Sequence, residues 1–256
     1  MKPDPFRELV AILEKLRSPE GCPWDREQTF DSLRPYFLEE AYEILQAIDD
    51  GKYAQLEEEL GDLLMHIVFQ AQIAREQDLF TIDDVLRSIN RKLIRRHPHV
   101  FGEGKVENSK EVLENWEKIK LDEGPKRLLG GVPKNLPALL RAFRVQEKAA
   151  GVGFDWAEDK QVITKILEEI KELRAAKTSG DREKITEEFG DLLFSMVNLA
   201  RFWGVSPEES LRGTVEKFTR RFSYIEDALS KQGRNVKDST LEEMDVLWEE
   251  AKRKGM

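Results

Sequence analysis

Apolar residues recur every three or four positions along almost the whole chain, the period of a helix with one buried face. This pattern predicts helices over 5–17, 28–50, 53–77, 82–96, 109–121, 137–150, 158–177, 181–203, 207–231 and 240–254. Turn-forming clusters separate them, among them SPEGCPWD, DDGK, HPHVFGEG, KTSGD and KQGRN. Ser109, Ser206 ahead of Pro207, and Thr240 with Glu243 three residues on read as helix N-caps. Alternating Val/Ile/Thr runs of the strand type do not occur, so the predicted class is all-α.

One helix breaks the amphipathic rule. In EELGDLL, Glu58 to Leu64, a glycine sits inside the helix, and Asp62 borders LLMHIVFQAQIA, whose apolar residues point in every direction. A helix apolar all round is normally buried, and a buried carboxylate without a partner is costly. The pattern predicts a buried Asp62 that shares its place with a counter-charge, and a glycine that lets another helix approach closely.

The same words return downstream as EEFGDLL, Glu187 to Leu193. FLEEAYEIL at 37–45 matches ILEEIKELR at 166–174, and an offset of 129 carries Glu39, Glu40, Glu43, Glu59, Gly61 and Asp62 onto Glu168, Glu169, Glu172, Glu188, Gly190 and Asp191. At an offset of 125, Lys92 and Arg96 fall on Lys217 and Arg221; Trp116 pairs with Trp248. The chain reads as a tandem duplication of one helical unit, with too few copies for a solenoid. The Gly/Pro-dense interval DEGPKRLLGGVPKNLP predicts a linker over 122–136, between a first domain over 1–121 and a second over 137–256.

In each half Glu-Glu-x-x-Glu lies on one helix and Glu-x-x-Asp near the start of the next. Spacings of three and four put these acids on one face of each helix. Folding the two helices into a hairpin over the short DDGK or KTSGD turn would bring four carboxylates together. Two like charges about 4 Å apart repel by roughly 4 kcal/mol at an effective dielectric near 20, so the set needs a cation. An all-oxygen donor set without His or Cys suits Mg²⁺, or Mn²⁺, over zinc. Taken alone, LEEAYE is an ordinary amphipathic pattern; its recurrence at fixed spacing beside an apolar helix favours a site.

Charge narrows the partners. A net charge of −9 over 256 residues argues against broad binding to nucleic acid polymers or anionic membranes. The single cysteine, Cys22, cannot close an intramolecular disulfide, and with no signal peptide or spanning segment in view the expected compartment is the cytoplasm. Local cations are present nonetheless: Lys92 with Arg96, and Lys217 with Arg221, share helical faces. Cations beside a bound Mg²⁺ are what a triphosphate chain requires.

These motifs, together with CPWD, RRHPHVF and LPALLRAFRVQEKAAGVGFDW, resemble the two-domain MazG family of all-α nucleoside triphosphate pyrophosphohydrolases, and the likeness covers essentially the whole chain. The resemblance implies Mg²⁺-dependent hydrolysis of nucleoside triphosphates to monophosphate and pyrophosphate, in a homodimer. It carries metal-ligand roles to Glu169, Glu172, Glu188 and Asp191, and by the repeat to Glu40, Glu43, Glu59 and Asp62. It carries nucleotide contacts to Lys165, Lys184, Lys217, Arg221 and Trp248; the expected mechanism has Glu168 or Glu169 as the base for an attacking water. At the first two of those contacts the first half holds Tyr36 and Gln55, so the second half is expected to carry most of the activity.

Trp24 and Trp156 are expected mainly to pack in the interior. His66 aligns with Ser195, and His97 and His99 with nothing similar, so the chemistry is expected to do without histidine; Cys22 is not a convincing nucleophile. Three other readings compete. A redox di-metal bundle typically needs Glu-x-x-His pairs, which are absent here. The other two are the same fold acting on a phosphoribosyl-nucleotide or a single deoxynucleotide, and an acidic helical scaffold with no enzymatic role.

Overall fold

Prolines and capping side chains set where the helices begin. In the computed structural model, residues 4–109, 111–112, 115–116, 119 and 128–256 are described. They form an all-α chain that divides into two compact units, Met1–Val112 and Leu113–Met256.

The first unit contains α1 (Pro5–Leu16), α2 (Pro23–Glu27), α3 (Arg34–Asp49), α4 (Tyr53–Glu76), α5 (Ile82–Arg96) and the single turn α6 (Pro98–Phe101). Helix α3 starts later than the periodicity suggests. Pro35 has no N–H to give and suits the first turn of a helix, while Thr29 and Ser32 cap one another's backbone at 2.9 and 3.1 Å in the turn before it. Helix α5 opens on a capping box between Thr81 and Asp84. The helix after α6 is capped by Asn108, whose Oδ1 accepts from Glu111 N at 3.1 Å, rather than by Ser109. Most of that helix, including the end of the predicted 109–121 span, lies outside the described residues.

Helices α3 and α4 form an antiparallel hairpin, and α1 and α5 pack on α4. The core joins Leu13, Leu33, Val68, Phe69, Ile73 and Ile82. Burying each such side chain stabilises the unit by about 1.5–3 kcal/mol.

The second unit repeats the plan. Helices α7 (Ala138–Ala150), α8 (Asp159–Ser179), α9 (Arg182–Phe202), α10 (Pro207–Ser230) and α11 (Leu241–Arg253) follow one another. α8 and α9 form the hairpin, α7 packs on α9 and α10, and α11 pairs with α10. The predicted caps at Ser206 and at Thr240 with Glu243 are in place. Val162, Ile166 and Leu199 centre the core of the hairpin. Gly51 and Gly180, 129 residues apart, both turn their hairpins with positive φ, 64° and 74°, a conformation that strains residues with a Cβ. The division at 112/113 precedes the Gly/Pro-dense interval, whose residues 128–131 form a 3₁₀ turn. That turn folds back on α7, where Leu128 O accepts from Lys148 Nζ at 3.5 Å.

Two expectations for α4 fail. Leu60, Leu64 and Ile67 stay exposed, while Val68, Phe69, Ala71, Ile73 and Ala74 fill the core, so the helix keeps an open apolar face. Nor does anything approach Gly61 or Gly190: a Cβ added at either would meet no atom within 4 Å. Periodicity records that a face is apolar but not what will cover it.

Candidate functional site

Each hairpin brings its acids together between its two helices. In the second unit Glu169 and Glu172 lie one turn apart on α8, and Glu188 stands opposite on α9. One carboxylate oxygen from each lies within 4.8 Å of the others. Glu40, Glu43 and Glu59 make the same group in the first unit. The arrangement follows from spacing: residues three apart share a face, and the hairpin turns two such faces toward each other.

The deeply buried acids are Glu59 and Glu169, at 9% and 4% exposure. Asp62 is only half-buried and Asp191 is exposed; the burial falls instead on Glu59, three residues before Asp62, in the first unit and on Glu169 of α8 in the second. Both aspartates stand at the margin of the three-oxygen groups, close enough to push protons onto neighbours. Burial, then the charges of Asp62 and Glu59, raise the Glu40 carboxyl above its ordinary value. Burial and Glu59 do the same for Glu43, and burial and Glu172 for Glu188. Like charges held this close favour protonation or a shared cation. The donors are all carboxylate oxygens, which fits a hard divalent cation.

The cations divide the two units. Lys165 reaches across one turn of α8 to Glu169 Oε1 at 2.8 Å and Glu168 Oε1 at 3.3 Å. Those bonds, the one to Glu169 first, raise its ammonium above the ordinary lysine value. Lys184, one turn before Glu188 on α9, draws that carboxyl's pKa down against its acidic neighbours. In the first unit Gln55 takes the place of Lys184 and donates to Glu59 Oε1 at 3.3 Å.

Tyr36 takes the place of Lys165. Its ring lies parallel to His66 at 6.5 Å and edge-on to Trp24 at 6.3 Å. His66 is 5% exposed, its Nε2 is 3.7 Å from Glu40 Oε1, and burial lowers its pKa. The imidazole thus faces the acid group that sequence reasoning expected to be free of histidine. One signal was available: His66 follows Asp62 by four residues on α4, on the same face. His97 and His99 instead face each other beyond α5, with ring centres 5.6 Å apart. Trp24 and Trp156 are about half-exposed, 52% and 46%, rather than interior.

The remaining predicted contacts gather on α10 and α11. The Arg221 guanidinium lies over the Trp248 ring at 5.4 Å, and Trp248 meets Phe218 at 5.1 Å. Arg221 Nε also donates to Met256 O at 2.8 Å. Lys217 is exposed one turn before Arg221. In the first unit Lys92 is exposed near the end of α5, and Arg96 ends that helix.

Two segments of the chain, residues 28–101 and 158–225, match the MazG nucleotide pyrophosphohydrolase domain. They hold both acid groups, with all the lysines and both arginines just described. The chain belongs to the MazG family. It is 50% identical over 250 residues to the nucleoside triphosphate pyrophosphohydrolase/pyrophosphatase MazG of Thermotoga maritima, covering 96% of this chain and 95% of that one. With the nucleoside triphosphate pyrophosphohydrolase of Escherichia coli K12 it shares 45% over 252 residues, 96% of each chain. It also matches the uncharacterized YabN of Bacillus subtilis, at 47% identity over 96% of this chain but 51% of the relative. Among the described residues no helix is long and apolar enough to cross a membrane.

Proposed function

We propose that this MazG-family chain hydrolyses nucleoside triphosphates to monophosphate and pyrophosphate with Mg²⁺, mainly in the second unit. The observation that carries the reading is the pairing of clustered carboxylates with lysines on the same two helices. Acids alone suit many metal proteins; acids flanked by Lys165 and Lys184 suit a metal-bound polyphosphate.

Glu169, Glu172, Glu188 and Asp191 would hold the cation, which supplies charge neutralisation and polarises the anhydride when bound. Glu168, half-exposed beside the group, is placed to take a proton from the attacking water, and Glu169 is the other candidate. Lys165 and Lys184 neutralise charge on the departing pyrophosphate. Lys217 and Arg221 add positive charge for the phosphates, and the Trp248 face offers a stacking surface for a base. Glu40, Glu43, Glu59 and Asp62 would hold a cation in the first unit with weaker polyphosphate binding, since Tyr36 and Gln55 bring no charge.

The homodimer is part of the same proposal. Leu38, Leu60 and Leu64 in the first unit are exposed, and so are their repeat partners Leu167, Phe189 and Leu193; a second copy would cover these faces. No polymeric nucleic acid partner is proposed for so acidic a chain, and the expected compartment is the cytoplasm. The function is tested with a panel of ribo- and deoxyribonucleoside triphosphates and Mg²⁺. Pyrophosphate and monophosphate should appear together and stop on chelation. Orthophosphate alone would establish a different reaction, and no product from any nucleotide would favour the scaffold.

A further inference from the structure

The two acid groups differ in what balances them when no metal is present. In the second unit the balance comes from Lys165, at 2.8 Å from the almost fully buried Glu169 and 3.3 Å from Glu168. Its side chain is 37% exposed, so the ammonium end is not sealed in. A lysine stem is long and flexible, and the ammonium can turn outward without disturbing the helix. In the first unit the same place is Tyr36, and the nitrogen facing the buried end of the group is His66 Nε2, 3.7 Å from Glu40. The imidazole is almost fully buried. Its Nδ1 is buried and has no hydrogen-bond partner among the described residues. Glu40, Glu43 and Glu59 each hold one carboxylate oxygen within 4.8 Å of the others.

We infer that Lys165 acts as a built-in counter-ion that competes with a divalent cation for Glu169, so that the second unit's acid group fills together with nucleotide, whereas the first unit's group fills with the metal alone. This rests on the reading that both groups hold a divalent cation. The physics is a competition for one carboxylate. A metal entering alone must displace an ammonium from its hydrogen-bonded acids, and that ammonium then has only water to face. A metal entering with a triphosphate brings a new anion for Lys165, so the exchange loses little. Metal and nucleotide are thereby coupled: each raises the affinity of the other by the same factor. The first group has no lysine to displace, only the neutral Gln55 amide on Glu59 Oε1, and mutual repulsion to relieve.

The test is a titration of the full-length chain with Mn²⁺ alone, following free Mn²⁺ by electron paramagnetic resonance. It is then repeated with an uncleavable α,β-methylene triphosphate, whose own Mn²⁺ uptake is subtracted. The wild-type chain should take up one tightly held ion without nucleotide and a second when the analogue is added. Glu43→Gln should remove the first of these, and Glu172→Gln the nucleotide-dependent one. Lys165→Gln should tighten metal-only binding at the second group by roughly tenfold or more, the scale of one charge-assisted hydrogen bond. Tyr36→Lys should weaken metal-only binding at the first group. Equal filling of both groups by Mn²⁺ alone, or unchanged binding in Lys165→Gln, overturns the inference while leaving the metal sites standing. If neither group takes up Mn²⁺ even with the analogue, the carboxylate-metal reading itself falls, and the inference with it.

Discussion

In the first unit the acid opposite the α3 pair receives a neutral amide, Gln55 Nε2 on Glu59 Oε1; in the second the same register holds Lys184, whose charge acts on Glu188. On the preceding helix, one turn before Glu40 and Glu169, Tyr36 stacks against His66 in the first unit, and Lys165 bonds Glu169 in the second. The acids are shared; the lysines beside them on the hairpin are not. The acid spacing is the same in both units, each with three carboxylate oxygens within 4.8 Å of one another. The surrounding groups differ. Two copies of one scaffold thus differ in the charge they set beside the same acids.

The widest gap is expected from removing one acid at a time. Glu172→Gln should lower the turnover of nucleoside triphosphates by roughly a hundredfold or more, while Glu43→Gln should change it by less than about threefold. Steady-state release of pyrophosphate by each purified variant checks this, and equal losses would erase the proposed division of labour. A smaller effect comes from making the first unit resemble the second. In a Glu172→Gln background, Tyr36→Lys with Gln55→Lys should restore pyrophosphate release by about tenfold over that background, the scale of adding charge where charge develops. No gain in a chain that still unfolds at the Glu172→Gln temperature would show that the two lysines are not what separates the halves.

The smallest effect concerns stability. Each unit ties its opening loop to its hairpin by an arginine, but with the signs reversed. Arg17, at the end of α1, bonds Glu76 of α4 at 2.6 Å and 2.9 Å and also reaches Gln28 O at 3.2 Å. In the second unit Arg201 of α9 bonds Asp155 in the loop after α7. The Arg17 side chain is 6% exposed and that of Arg201 14%, so Arg17→Met should cost about 2–3 kcal/mol and Arg201→Met about 1–2 kcal/mol by urea unfolding. The Arg17 hydrogen bond holds the Glu76 carboxyl below its ordinary value of 4.5. A lowered carboxyl contributes stability that is complete above the unfolded value and is lost as pH falls through the folded one. The difference between wild type and Arg17→Met should therefore be full at neutral pH and shrink below about 4.5. A constant difference down to strongly acid pH would assign the cost to packing alone.

Much of this was legible in the residues because it is local. The repeat, the hairpins and the caps at Ser206 and Thr240 follow from a period near 3.6 and from side chains that satisfy the nearest backbone N–H groups. The shift of a cap from Ser109 to Asn108 is a contest between two adjacent residues able to cap, which sequence cannot judge. The exposed face of α4 was illegible for another reason: hydrophobicity at Leu60, Leu64 and Ile67 states a demand for cover but does not say whether the cover comes from the same unit. His66 was set aside because its repeat partner is Ser195, though comparison between copies is blind to what one copy has added.

The order of amino acids by itself determined which carboxylates share a helix face, where each hairpin turns, and which half lacks the two hairpin lysines, since all three depend on spacing along one chain. Only the tertiary structure decided that Glu59 and Glu169, rather than the aspartates, lie deepest, that His66 faces Glu40, and that Lys165 already holds Glu169. Those depend on how far two helices stand apart and how they are turned about their axes. Side chains from both helices set that geometry jointly, and no single stretch of sequence contains it.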